Sequence, residues 1–196
     1  QVSLFLLILI LPNSTFAQSI PTITIVNEIR GPELGLNEVD IQKSLEGQWK
    51  ATKDSSVSAT WLWQYSALED QKLIDLAKQN MTSDQEQGIF LEIDKNFATK
   101  SGIEYKGKVA WYQSDGLLLV SYDQYERHKL IDNVFEKFKQ TFGAYPKSVG
   151  AWWVGAESIE YMQKKYGITA VLQCADQFNT DAYSIWGTPW SIPYRP

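Results

Sequence analysis

The stretch "SVGAWWVGAESIEYMQKKYG", residues 148–167, decides the fold. Its first half reads as a strand, "KSVGAWW" over 147–153, ending in two tryptophans. Its second half turns at once into a helix, "ESIEYMQKKYG", with Gly167 as its C-cap. A further strand-like run, "ITAVLQC", follows over 168–174. Strand, helix and strand at this rhythm make a βαβ unit, and such units build parallel sheets.

Upstream, the same alternation repeats. Residues 22–27, "TITIVN", are β-branched and run into Asn27 and Glu28, and a loosely helical segment places Leu36, Val39, Ile41, Leu45 and Trp49. "ATWLWQY", 59–65, is a second strand, and the segment after it sets Leu68, Leu73, Ile74, Leu76 and Ala77 near one helical face. "GIFLEI", 88–93, is the third strand. Residues 95–122 are less regular, with "VAWYQ" and "GLLLVSY" as strand-like pieces. An amphipathic helix then carries apolar residues at 130, 131, 134, 135, 138 and 142 and stops at Gly143 and Pro146.

Two parallel architectures compete, an open doubly wound sheet and a closed barrel. An open dinucleotide-binding sheet carries a glycine-rich turn after its first strand, and "VNEIRGPELG" lacks the G-x-G-x-x-G spacing. The expectation is therefore an α/β fold, a parallel (β/α) barrel, occupying residues 18–196. A barrel of this type usually needs at least about 200 residues, so further strands are expected beyond Pro196.

Composition narrows the partners. With 18 Lys and Arg against 23 Asp and Glu, the formal net charge is -5, which leaves no basic face for a phosphate backbone. Nucleic acid is excluded as the expected partner. The content of 44% hydrophobic and 13% aromatic residues suits one large core. The single cysteine, Cys174, has no partner in the chain and reads as a buried thiol. His128, the only histidine, falls between Arg127 and Lys129 on the amphipathic helix and reads as a surface residue.

Residues 3–11, "SLFLLILIL", are too short to span a bilayer, and Thr15-Phe16-Ala17 has the small residues of a processing site. Residues 1–17 are read as a signal peptide cleaved after Ala17, its front missing because neither an initiator Met nor a basic segment precedes the run. Export implies a secreted or cell-envelope location, with no membrane insertion after cleavage.

The run from Gln124 to Gln177 resembles the glycoside hydrolase/deacetylase (β/α)-barrel superfamily, and within it the polysaccharide deacetylase fold. The similar features are the lysine-rich helix, the step through Gly143 and Pro146 into a strand, and "YGI" opening the next one. "ATWLWQYSALED", "GIFLEI" and "DQFNTDAYSIWG" look like a divergent secreted branch, so that the similarity covers 22–196. The resemblance implies a barrel of seven or eight strands when complete, and a polysaccharide or oligosaccharide as partner.

The deacetylase metal motifs are absent. Strand one ends "IVNEI" rather than with paired aspartates, "DQEQGIFLEIDKN" has no histidines, and "GAWW" stands in the place of an Arg-x-Pro-Tyr motif. Neither a metal nor an organic cofactor is expected. What the strand ends offer instead is acids and aromatics. Glu28, Glu92 and Asp176 are the candidate catalytic carboxylates, since barrel chemistry collects at the C-terminal ends of strands and glycoside hydrolysis uses a carboxyl pair. Trp153, Trp186 and Trp190 are candidate sugar-stacking platforms, with Asp94 and Gln177 as hydroxyl-binding groups. Each has a structural alternative: acids also cap helices and pair with Lys or Arg, and indoles also seal barrel ends. A catalytically degenerate barrel that binds glycans, or serves as a scaffold, is the competing expectation.

Overall fold

The computed structural model describes residues 25–31, 38–107 and 116–173. Five strands, β1 (Ile25–Ile29), β2 (Ala59–Trp63), β3 (Gln85–Leu91), β4 (Ser148–Ala151) and β5 (Ala170–Gln173), form one sheet. All four pairings are parallel and the strands lie in the order of the chain, β1-β2-β3-β4-β5. A doubly wound sheet reverses its strand order partway; sequential order does not, and this sheet curls into a half-barrel. The fold is thus α/β and parallel, consistent with a partial (β/α) barrel.

The helices between the strands are α1 (Glu38–Asp54), α2 (Gln71–Asn80), α3 (Lys95–Lys100), α4 (Gln124–Phe142) and α5 (Ala156–Tyr166). Their limits follow local chemistry. The Asp70 carboxylate accepts from the amides of Lys72 and Leu73 to start α2, satisfying N–H groups that have no partner within the helix. Asp123 and Glu126 form a capping box at the start of α4, and Gly143, with φ of 86°, ends it in the left-handed region. Leu130, Ile131, Val134, Phe135 and Phe138 make the buried stripe of α4, as the spacing predicts.

Strand register then sorts the side chains into two faces. Trp61 pairs with Asn27 and Gln87, and Trp63 with Ile29 and Ile89. These odd-numbered positions face the helices: Trp49 of α1 lies 4.7 Å from Trp61, and Phe142 of α4 lies 5.4 Å from Trp63. Both strand indoles are fully buried and donate to glutamines of β3, Trp61 to Gln85 and Trp63 to Gln87, at 2.7 Å each. The even-numbered positions face the other way, into the half-barrel, and include Glu28, Leu62, Gly88, Phe90, Gly150 and Leu172. Leu62 fills the inside of the curl, which Gly150 makes possible: a Cβ there would come within 2.4 Å of Leu62 Cδ1 and 3.2 Å of Phe90.

Several expectations need correction. The first strand reaches Ile29, so Glu28 lies within it rather than after it. The apolar run 116–122 is not a strand; Leu119–Ser121 is a single 3₁₀ turn, with Leu117, Leu118, Leu119 and Tyr122 buried and the Leu117 carbonyl accepting from the Ile93 amide at 3.0 Å. Strand β4 ends at Ala151, so both Trp152 and Trp153 follow it. His128 is half-buried, with 28% of its side chain exposed, rather than freely solvated. Its ring stacks on Tyr161 at 3.7 Å and its Nε2 meets Glu157 Oε1 at 2.5 Å, joining α4 to α5. Burial alone would raise Glu157, but its hydrogen bonds from His128 and Gln124 hold it below the ordinary glutamate value.

Candidate functional site

Five side chains meet at the C-terminal ends of β1 to β4. Parity explains why. Glu28 and Arg30 leave β1 on the inner face, Gln64 continues the even positions of β2, Glu92 those of β3, and Trp152 those of β4. Pairing extends past the strand ends, since the Gln64 amide donates to the Ile29 carbonyl at 3.0 Å.

Glu92 is the hub. It is 1% exposed. Its Oε1 accepts from Gln64 Nε2 at 3.0 Å, and its Oε2 accepts from Arg30 Nη2 at 2.8 Å and from Trp152 Nε1 at 2.5 Å. Gln64, itself buried, uses its other end to accept the Gly31 amide at 2.8 Å. Gly31 is needed there because a Cβ would come within 2.6 Å of the Ser66 Cβ. The close backbone approach of the two strand ends fixes where Arg30 emerges.

Arg30 joins the two acids of the site. Its Nη2 lies 3.4 Å from Glu28 Oε2 and 2.8 Å from Glu92 Oε2, so those two oxygens are at most about 6.2 Å apart. Its guanidinium carbon lies 5.6 Å from the Phe90 ring centre and 5.2 Å from that of Trp152, within the range of cation–π attraction. Burial pushes the Glu28 carboxyl above its ordinary value; Arg30 opposes the rise and the neighbouring Glu92 adds to it. Glu28 therefore keeps its proton to higher pH than an exposed glutamate, the condition that lets a carboxyl serve as a proton donor. It is also accessible, with 26% of its side chain exposed against 2% for Glu92.

Of the residues singled out by sequence, Glu28 and Glu92 are brought together. Asp94 lies on the neighbouring loop but is occupied: its Oδ1 caps α3 through the Phe97 amide at 2.7 Å and its Oδ2 accepts from Ser66 at 2.6 Å. Trp153 is 39% exposed. Asp176, Gln177, Trp186 and Trp190, like the signal segment 1–17 and Cys174, lie outside the described residues. Sequence reasoning passed over Arg30 and Gln64, and of the tryptophan pair at the end of the fourth strand it took Trp153 where the structure brings in Trp152. Counting in twos from Glu28, Leu62 and Gly150 would have found all three.

Among the described residues no group of three or more His, Cys, Asp and Glu side chains is placed to hold a metal ion, and no helix is long and apolar enough to cross a membrane. Two cavities, of about 230 Å³ beside Leu68, Lys78 and Lys137 and about 640 Å³ beside Lys95, Ile103 and Tyr105, include none of the five residues. Compared with family models, with curated proteins and with solved structures, the chain matches none.

Proposed function

We propose that this chain is a secreted, carbohydrate-active barrel protein of the polysaccharide deacetylase/glycoside hydrolase type, acting on an envelope or extracellular polysaccharide through carboxylates in place of a metal. The observation that carries this is the pairing of Glu28 and Glu92 on one guanidinium at the C-terminal ends of the strands, where barrel enzymes place their chemistry. In this reading Glu28, half-buried and binding its proton more tightly than an exposed glutamate, donates it to the leaving oxygen as the glycosidic C–O bond breaks, and a water then adds to the sugar carbon and returns a proton to Glu28. Glu92, fixed by three donors, faces the positive charge that develops on the sugar ring. Asp176 is carried into the proposal from its place after the fifth strand.

A second reading, glycan binding without turnover, is favoured by one observation. Both oxygens of Glu92 are already engaged and the side chain is closed to solvent, as in a group that positions rather than reacts. One assay separates the two. Purified protein is incubated with peptidoglycan, chitin and exopolysaccharide fragments, and released reducing ends and acetate are measured for wild type, Glu28→Gln and Asp176→Asn. Turnover that drops by roughly two orders of magnitude or more in Glu28→Gln, with ligand affinity kept, supports the enzyme. Binding with no release by wild type supports the glycan-binding reading.

A further inference from the structure

The charges at the strand ends say which kind of sugar this site takes. Three of its five side chains are ionisable: Glu28, Glu92 and Arg30. The single cation is shared, one nitrogen serving both acids at 3.4 and 2.8 Å, while Phe90 and Trp152 offer their ring faces to the guanidinium. Gln64 and Trp152 bring N–H donors to Glu92 but no charge. The trio is thus one positive charge short of neutral when both acids are ionised. Of the two acids, the one open to solvent is Glu28. A ligand group beside Glu28 that brings a positive charge completes the set, and a negative one meets like charge in a partly desolvated place.

We infer that the site prefers glycans carrying a free ammonium, that is amino sugars, over neutral ones, and disfavours uronate glycans. The inference rests on the carbohydrate reading above and adds to it the charge of the ligand.

The test is direct binding to the full chain at neutral pH and about 0.15 M salt, where charges more than about 8 Å apart are largely screened. Three oligosaccharides of equal length serve as probes: glucosamine, N-acetylglucosamine and galacturonate. The glucosamine oligomer is expected to bind about tenfold more tightly than the acetylated one, the scale of one charge-assisted hydrogen bond, and the galacturonate oligomer most weakly. Glu28→Gln should bring the ratio of affinities for the first two to about one, whatever it does to either affinity alone. Galacturonate binding as tightly as the acetylated oligomer, or a gap that survives Glu28→Gln, overturns the inference and leaves the carbohydrate reading standing. Binding of none of the three overturns both.

Discussion

Replacing Glu92 by Gln keeps the size of the side chain and removes its charge, and the structure says why this isosteric change is costly. Both oxygens of Glu92 face donors only: Gln64 Nε2 on one side, Arg30 and Trp152 on the other. A glutamine must turn its amide nitrogen toward one side. Facing Gln64, it forces that amide to flip, and the flipped Gln64 then presents its own nitrogen to the Gly31 amide it now accepts from. Facing Arg30 and Trp152, it leaves both of those donors opposed. Either way a buried N–H loses its acceptor, which costs about 1–3 kcal/mol. Arg30 also loses its buried partner, a loss reduced because the guanidinium is 31% exposed and keeps Glu28. The expected total is about 2–4 kcal/mol, or a fall in Tm of roughly 4 to 16 °C for a chain of this length. Urea unfolding of wild type and Glu92→Gln measures it. Glu160→Gln is the control, since its partner Lys164 is 69% exposed and such pairs contribute less than about 1 kcal/mol. A Glu92→Gln midpoint within about 0.5 kcal/mol of wild type would refute the network as described.

Three further outcomes are expected. Glu28 binds its proton more tightly folded than unfolded, so its contribution is fully present below the ordinary value of 4.5 and is lost as pH rises through the higher folded value; Glu28→Gln should match wild type in urea midpoint at acid pH and exceed it at neutral pH, and equal midpoints at both would count against the buried placement. Gly150→Ala should destabilise by about 1–3 kcal/mol by driving Leu62 from its place, and Leu62→Ala combined with it should cost less than the sum of the two single changes in thermal unfolding. Asp123→Ala removes the capping box of α4 and should cost about 0.5–2 kcal/mol, read as a lower Tm.

The alternation of short apolar strands with helices and the stops at Gly143 and Gly167 were legible in the sequence, because each depends on contacts within a few residues. The parallel sheet followed from that rhythm, and Glu28 and Glu92 were found as acids at strand ends. Only the tertiary structure decided what meets them. Arg30 and Trp152 reach Glu92 across 62 and 60 residues, and Gln64 across 28. Side-chain alternation is a local property of one strand, but register between strands is set by the closing of the whole sheet, and a shift by one residue would send each of these groups to the helix face. The same reason settles the tryptophans. Trp61 and Trp63 are buried among helices, Trp152 anchors Glu92 and Trp153 stands exposed: four indoles of one kind in sequence, given different roles by which face of the sheet the register turned them toward.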